Sequence, residues 1–265
     1  NTNIASHLSS GSVSWLSYAD RLMEFPTALL GVAVGTVLLP SLSKANAIQD
    51  HQHVDELLNW GLRLTFLLAA PAALALFIFG TPLAASLYHY GKFDANDVEM
   101  TRQALMAYGV GLIGLILVKI LAPGFYSRQD IRTPVKIGLV VLVFTQLANL
   151  VFVPLFAHAG LALSIGLGAC LNALLLWVGL VRKGLLKTHS ENSWIKFLFK
   201  LTLGLCVLGG ILYLGLQSHD WIALQANPIL RLMLLSGWCA LAGGAYFATL
   251  WICGLKFKEF LRHSS

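Results

Sequence analysis

Three charged side chains precede a long apolar segment near the start of the chain. In SYADRLMEFPTALLGVAVG, residues 17–35, Asp20, Arg21 and Glu24 stand within five positions, and the rest of the stretch is almost wholly apolar. Arginine carries a planar fork of N–H donors that fits a phosphate or a carboxylate, and the two acidic neighbours could orient that fork. The trio therefore indicates either recognition of an anionic ligand or a buried ion network that fixes this segment to a neighbour.

A helix would place the three charges on one face. At about 100° per residue they share an arc of roughly 140° with five small or polar residues, Ser14, Ser17, Thr27, Gly31 and Gly35. If the span begins near Ser14, Arg21 lies roughly 10 Å along the helix axis, where a charge in lipid costs about 2.5–3.5 kcal/mol. We therefore expect this stripe to face a partner or a water-filled cavity, and we expect Pro26 to kink the helix beside it.

The composition indicates that the elements carrying these charges are membrane helices. The chain is 57% hydrophobic and only 11% charged, with a mean hydropathy of +0.73, which excludes an ordinary soluble domain. The net charge of +6 is distributed in short clusters between apolar runs. We interpret that excess as membrane topology and not as a surface for nucleic acid.

The sequence offers no framework for a metal or a disulfide. Its four cysteines lie inside apolar runs without CxxC spacing, which favours buried small hydrophobes. His51 and His53 flank Gln52 in a hydrophilic connection, where we expect a solvated pair and not a metal site. We expect no cofactor.

Seven apolar runs have about the twenty residues that a bilayer core requires. Runs of this length and continuity are helical, because backbone polar groups in lipid must be satisfied within the segment. The runs are residues 12–42, 62–88, 104–122, 137–156, 161–181, 197–216 and 230–255. The predicted fold class is an all-α polytopic membrane protein with about seven transmembrane helices.

Lysine and arginine collect in alternate connections between these runs. Fourteen of the 18 lie in one set, which begins with Lys44 and ends with Arg262, whereas the other set holds only Lys92, Arg102 and Arg231. The basic set should be cytoplasmic, so we expect the C-terminus inside and the first span running from outside to inside. An odd number of spans with an outside start favours a piece of a longer protein.

Two blocks carry a resemblance to a known family. YADRLMEFPTALLGVAVGTVLLPSLS, residues 18–43, and KILAPGFYSRQDIRTPVKI, residues 119–137, resemble distinctive blocks in the C-terminal half of the MurJ/MviN family. Its members are lipid II flippases of bacterial cell-wall synthesis, within the superfamily of multidrug, oligosaccharidyl-lipid and polysaccharide exporters. The similarity extends over essentially all 265 residues, which would correspond to helices 8–14 of a fourteen-helix protein with two lobes.

The resemblance implies a transporter and not an enzyme. Family members move lipid II, an undecaprenyl-pyrophosphate-linked disaccharide pentapeptide, from the inner to the outer leaflet of the bacterial inner membrane by alternating access around a cationic cavity. On this basis Arg21 contacts the anionic headgroup, Asp20 and Glu24 lie beside it, and Lys119 is a further substrate-binding residue. A lysine that snorkels to the cytoplasmic interface explains Lys119 as well.

The resemblance also divides the chain into parts. Residues 1–11 would end a preceding helix and form an external turn, and residues 12–182 would form a C-terminal lobe of five helices. Residues 183–265 would form the last two helices, which line a groove for the lipid tail, and a cytoplasmic tail. The glycines expected to let those helices approach closely are Gly209, Gly210, Gly243 and Gly244.

The expected partners are lipid II, membrane lipids and the N-terminal lobe of the same protein. The other cavity arginines of the family belong to that lobe, so this half alone is not expected to transport. Some members hold sodium with carboxylates, but the corresponding stretch VVLVFTQLANL offers only the neutral Thr145, Gln146 and Asn149. We therefore do not expect sodium coupling through that site.

Several alternatives stay open at this point. In GFYSRQDIRTP, Arg128 and Asp130 either anchor a cytoplasmic helix end or gate the inner mouth. The protein could export another polyprenyl-linked oligosaccharide such as an O-antigen unit, or serve as a scaffold that binds partners through its loops. A membrane enzyme acting on polyprenyl-linked sugars is disfavoured, because only Asp20 and Glu24 are acidic residues within the apolar runs.

Overall fold

The protein is a bundle of helices. It is represented by a computed structural model that describes residues 5, 8–187 and 191–255, and no strand occurs among these residues. The helices are α1 (Ser12–Ala47), α2 (His51–Ile78), α3 (Gly80–Tyr88), α4 (Ala95–Tyr126), α5 (Arg132–Arg182), α6 (Glu191–Gln217) and α7 (Pro228–Ile252), with a 3-10 helix at Ala223–Ala226. Within the described ranges, six helices are long and apolar enough to cross a membrane.

Helix α5 supplies two of the seven predicted spans. It contains 51 residues with helical geometry except at Ala157 (φ 47°, ψ −124°), where the chain reverses direction. The arms 132–156 and 158–182 lie side by side, since Gly160 packs directly against the backbone of Phe152. At about 1.5 Å per residue each arm is ~37 Å long, enough to cross a hydrocarbon core of ~30 Å. The predicted fold class is confirmed, and the reversal at Ala157 lies between the predicted spans 137–156 and 161–181.

Two helices begin well before the apolar runs that predicted them. Asp50 caps α2 by accepting a hydrogen bond from the backbone N–H of His53 at 3.0 Å, and Asp94 and Asp97 form a capping box at the start of α4. A capping carboxylate satisfies free N–H groups and favours the positive end of the helix dipole, so these polar first turns stay helical. The prediction of a loop at His51 and His53 is therefore wrong, because both belong to the first turn of α2.

Helix α1 is continuous through both of its prolines, Pro26 and Pro40.

The expected basic tail at residues 256–265, and most of the expected external turn at residues 1–11, lie outside the described residues.

Helix α4 is the centre of the bundle and packs against α1, α2, α3 and α5. An added Cβ at Gly111 would overlap the backbone of Gly166, and one at Gly114 would lie 2.6 Å from the backbone nitrogen of Cys170. Glycine at these positions lets the backbones of α4 and α5 approach closely. Among the described residues, glycine thus brings backbone against backbone where α4 meets α5, whereas between α6 and α7 the close contacts of Gly204 and Gly215 are with the rings of Tyr246 and Trp238.

The buried apolar side chains form two clusters. The first cluster joins α1, α2, α3 and α4 to α6 and α7, and the second joins the opposite ends of α1, α2, α4 and α5. The first arm of α5 contributes little to either and exposes large side chains such as Leu139, Leu150 and Leu155. In a membrane this arm would present its apolar surface to lipid.

Candidate functional site

Arg21, Asp20 and Glu24 lie on an exposed face of α1. All three are solvent-exposed, and no hydrogen bond or ion pair joins Arg21 to any described residue. The expected support of Arg21 by its acidic neighbours is not formed, because exposed charges gain little from pairing once side-chain entropy is lost. An ion network that locks α1 to another helix is equally not formed in the described part of the chain. The guanidinium keeps its donors available on this face.

Lys119 reaches the same helix from α4. Its Nζ donates a hydrogen bond to the carbonyl oxygen of Thr27 at 3.3 Å, and its stem crosses α1 at Gly31, where an added Cβ would overlap Lys119 Cδ. The ammonium group is therefore held by α1. A lysine that only snorkelled to the interface would not need this contact. Thr27 follows Arg21 by six positions, which is about 9 Å of helix rise. Arg21 and the point where Lys119 contacts α1 are therefore about this far apart along the helix axis.

Three aromatic rings close the N-terminal end of this face. Tyr18 packs on Tyr88 at the end of α3, with 4.6 Å between ring centroids, and meets Phe93 edge to face at 5.2 Å. Contacts of this kind fix the positions of the rings, so the cluster forms a firm wall beside the charged residues. Sequence reasoning missed it because Tyr18 is separated by 70 positions from its partner Tyr88, and no local pattern connects them.

Asp130 fixes the base of the α5 hairpin. Its carboxylate accepts hydrogen bonds from the N–H of Thr133 at 3.1 Å and from the Thr133 hydroxyl at 2.7 Å, and it forms an ion pair with Lys183 beyond the other end of α5. The bond from Lys183, followed by those from Thr133, lowers the pKa of Asp130 to about 2. Arg128 is exposed and makes no side-chain hydrogen bond with a described residue. The structure thus does not pair the two residues predicted as a gate.

A polar ladder that sequence reasoning missed runs along α2. Buried Asp55 accepts hydrogen bonds from the backbone N–H of Lys187 at 2.6 Å and from the amide of Asn59 at 3.0 Å. One turn further, Asn59 accepts a bond from the indole N–H of Trp194 at 3.2 Å, and Arg63 lies 5.2 Å from the Trp194 ring. The four-residue spacing of 55, 59 and 63 places them on one helix face, which is the signal that could have revealed them. The ladder fastens the start of α6 to α2.

Apolar cavities lie beside α6. One of about 570 Å³ is lined by α2, α4, the second arm of α5 and α6 and is partly open to the surface. A shallower one of about 550 Å³ lies along α2 and α6 and shares part of the α4 wall. Gly209 and Gly210 line the second cavity. The predicted close approach of α6 and α7 at these glycines is wrong at all four positions. An added Cβ at Gly210, Gly243 or Gly244 would meet no atom within 4 Å, and one at Gly209 would meet only side chains of α2.

The neutral residues of the stretch that the resemblance aligns with a sodium site bond to each other and to the backbone. Thr145 Oγ1 donates to the carbonyl of Val141 at 2.8 Å, and Gln146 Oε1 accepts a long bond from Asn149 at 3.5 Å. Across the ranges that the structure covers, no cluster of three His, Cys, Asp or Glu side chains could hold a metal ion.

Comparison with known proteins adds relatives to this geometry. A family model described as "Lipid II flippase MurJ" matches residues 1–230. A lipid II flippase MurJ of Burkholderia cenocepacia is 55% identical over 264 residues, which are 100% of this chain and 51% of that protein. A probable lipid II flippase MurJ of Vibrio cholerae is 35% identical over 257 residues, which are 97% of this chain and 48% of that protein. The chain therefore spans about half the length of the curated relatives it matches.

The fold is also similar to a solved structure. A lipid II flippase MurJ in an inward closed conformation superposes with a TM-score of 0.70 over 90% of this chain and 49% of that chain, at 22% identity. At this identity the likeness concerns the arrangement of the helices.

Proposed function

The chain belongs to the MurJ family of lipid II flippases, and from that membership we propose that it is the C-terminal half of a transporter that moves lipid II from the inner to the outer leaflet of the bacterial inner membrane. The transporter would work by alternating access between two lobes. The half seen here supplies one wall of the cavity, and an N-terminal lobe supplies the other.

The observation that carries this proposal is the state of Arg21. Its guanidinium is exposed on α1 and bonded to no described residue, inside a helix long and apolar enough to cross a membrane. A charge in such a position costs about 2.5–3.5 kcal/mol unless it faces water or a partner. A hydrated cavity between the lobes removes that cost, and an anionic headgroup entering the cavity then meets unused donors.

Arg21 is proposed to bind the pyrophosphate or an acidic group of the headgroup through two parallel N–H donors. Asp20 and Glu24 limit the positive charge of this face and keep the bound anion from being held too firmly for release. Lys119 of α4 adds a second cation, which contacts α1 at Thr27, about 1.7 turns beyond Arg21 at 3.6 residues per turn. No bond of the substrate is broken in this scheme, so the protein acts as a transporter and not as an enzyme.

The proposed orientation places the C-terminus in the cytoplasm. The connections rich in lysine and arginine meet at one end of the bundle, as the hydrogen bond from Asn46 to Ser127 at 2.8 Å and the Asp130–Lys183 ion pair indicate. By the positive-inside rule this end is cytoplasmic. The hairpin clamp at Asp130 then lies at the inner mouth, where, with Arg128, it can serve as part of a gate.

The experiment joins this chain to its upstream half in cells depleted of their own flippase and measures lipid II exposed on the outer face. The variants are Arg21→Ala and Arg21→Lys, with Arg182→Ala as a control because Arg182 is an exposed arginine at a helix end. A hydrogen bond to a charged group contributes about 1.5–3 kcal/mol, so we expect both Arg21 variants to reduce exposure by at least about tenfold. The lysine variant fails because a point charge cannot make the two-pronged contact.

The parent protein and Arg182→Ala should restore exposure to similar levels at equal membrane insertion. If Arg21→Ala restores it as well, the cavity role of Arg21 is refuted. If the joined parent protein inserts and exposes no lipid II while it exports another polyprenyl-linked oligosaccharide, the substrate assignment is refuted.

A further inference from the structure

A fully buried guanidinium lies at the N-terminal end of α7. Arg231 is 0% exposed. Its Nη1 donates to the carbonyl oxygen of Trp221 at 3.3 Å, and its Nη2 donates to the carbonyl oxygen of His89 at 3.3 Å. The face of Tyr90 lies 5.1 Å from the guanidinium carbon. The side chain therefore ties α7 to two connections, the one after α3 and the one after α6.

No carboxylate pairs with Arg231 in the part of the chain that the structure describes. Burying a cation without a counter-ion is costly, so the remaining acceptors must be well placed. Two carbonyl oxygens and the face of Tyr90 supply part of this stabilisation. The remaining polar neighbour is the imidazole of His89, whose Nδ1 lies 3.4 Å from Arg231 Nη1.

The contact between Arg231 and His89 Nδ1 requires a neutral imidazole. Arginine has donors only, so Nδ1 must offer its lone pair, and the single ring proton must then sit on Nε2. A second proton would turn Nδ1 into a donor and place two cations next to each other. His89 is itself only 4% exposed, so solvent would screen that repulsion poorly.

The charged groups that act on the His89 imidazole are Arg231 at the start of α7 and Asp94 in the connection after α3. Burial, followed by the charge of Arg231, lowers the pKa of His89, and Asp94 in the same connection partly offsets this effect. On the connection after α6, Asp220 is already bonded to the N–H groups of Ile222 and Ala223.

We propose that His89 and Arg231 form an acid-sensitive latch, in which protonation of His89 releases the N-terminal end of α7 from the connection between α3 and α4. The latch rests on the proposed function in one respect only, because the proposed orientation is what places this end of the bundle on the outer side of the membrane. It would couple the docking of α7 to the acidity of that side.

The sign of the effect follows from the two states of His89. The free imidazole binds a proton more readily than the latched one, so the latch has full strength above the ordinary pKa of about 6.5 and weakens as the pH falls below it. Between the ordinary pKa and the lowered one, the opening equilibrium rises about tenfold per pH unit. Below the lowered pKa it becomes constant again.

The test uses the full-length protein, both halves joined, in lipid nanodiscs. Hydrogen exchange of peptides covering residues 86–94 and 218–231 is measured from pH 8 to pH 5, after correction for the intrinsic pH dependence of amide exchange. The variant His89→Gln keeps an acceptor and cannot take the proton. His219→Gln is the matched control, because His219 lies on the same end of the bundle, with its ring 5.8 Å from Trp221, and does not contact Arg231.

We expect exchange in both peptides to rise steeply below the ordinary histidine pKa in the parent protein and in His219→Gln, and to stay level in His89→Gln. A level response in the parent, or an equal rise in His89→Gln, overturns the proposal. If His89→Gln does not accumulate in the membrane, Arg231→Gln decides. Without the guanidinium, the midpoint pH of the rise in exchange should move up toward the ordinary histidine pKa. If this midpoint pH does not move, the latch is overturned. None of these readouts requires transport of lipid II.

Discussion

Arginine side chains inside the apolar helices differ in what surrounds them. Arg231 is buried against carbonyl groups, Arg63 lies over the ring of Trp194, and Arg102 is bonded to Glu99 with 2.7 Å between Arg102 Nε and the carboxylate. Arg21 has none of these contacts in the described part of the chain. An unused fork of donors inside a membrane-spanning helix, and not at a helix end as for Arg132 and Arg182, is what a ligand-binding position requires. Arg63, Arg102 and Arg231 are instead used to build the fold.

The space at Gly31 predicts a selective effect at the residue scale. Gly31→Ala would place a Cβ onto Lys119 Cδ, so the lysine must leave its position on α1. Because the obstructed group is a flexible side chain, we expect a shift in thermal unfolding of only a few degrees, and we expect lipid II exposure in the joined protein to fall severalfold. Melting curves and the exposure assay measure the two effects separately.

The matched control is Gly244→Ala in α7, where an added Cβ meets no atom within 4 Å. It should leave both quantities unchanged. An unchanged exposure in Gly31→Ala, at equal insertion, would show that the position of Lys119 on α1 does not matter for transport.

The residues that the sequence singles out as candidates and those that it does not reveal differ in how locally they are specified. Asp20, Arg21 and Glu24 are singled out because they interrupt an apolar run within about one turn of helix. Tyr18 with Tyr88, and Asp55 with Lys187, were missed because each pair joins positions far apart in the chain. Their pairing depends on which helices become neighbours, and hydropathy patterns do not specify neighbours.

At the element scale, the carboxylate of Asp130 performs two functions that one substitution can separate. Asp130→Asn keeps an oxygen that can cap Thr133 and removes the charge that pairs with Lys183. Exposed ion pairs contribute about 0–1 kcal/mol, and a lost cap costs about 0.5–2 kcal/mol. We therefore expect Asp130→Asn to lower the melting temperature less than Asp130→Ala does.

The Asp130 carboxylate also predicts that the protein loses stability as the pH falls. The lowered pKa of Asp130 is about 2, below the ordinary value of about 3.9. Its contribution to stability is present above the ordinary pKa and is lost as the pH falls from there through the lowered one. Between pH 5 and pH 3, the melting temperature of the parent should therefore fall more steeply with decreasing pH than that of Asp130→Asn. Equal falls in the two proteins would contradict the ion pair.

The number of membrane helices could be predicted because each apolar run is long and continuous. Their boundaries could not, because the capping carboxylates Asp50 and Asp94 extend α2 and α4 into polar sequence. The predicted span 62–88 is also divided, since α2 ends at Ile78 and α3 begins at Gly80. Hydropathy reports what lipid tolerates, whereas helix ends are set by individual hydrogen bonds.

At the scale of the whole molecule, polar contacts at three levels of the bundle attach the last two helices to the other described helices. They lie at the α5–α6 connection, where Asp55 accepts the N–H of Lys187, at the centre, where the hydroxyl of Tyr246 donates to the carbonyl of Leu67 at 2.7 Å, and at the far end, where Arg231 holds His89. Contacts at both ends and in the middle indicate that α6 and α7 move together with α2. In the proposed alternating-access cycle, the apolar cavities between α6 and α2 would then keep their walls.

The central contact gives a prediction about stability. Tyr246→Phe removes a buried hydroxyl and leaves the Leu67 carbonyl without this donor, which should cost about 0.5–1.5 kcal/mol. Tyr213→Phe is the control, because Tyr213 is exposed and its hydroxyl bonds only to Gln217 of the same helix. Denaturation of the joined protein in nanodiscs should distinguish the two variants, and equal effects would argue against the attachment.

The hairpin of α5 has a consequence for how the protein is made. Its two arms pair with each other within 51 consecutive residues, and its ends are clamped on the same side by Asp130 and Lys183. Contacts that are close in sequence form early, and the largely apolar surface of the first arm favours lipid over water. Both arms can therefore leave the translocation machinery as one inserted unit during synthesis, and α4, already made, can dock onto them through Gly111 and Gly114.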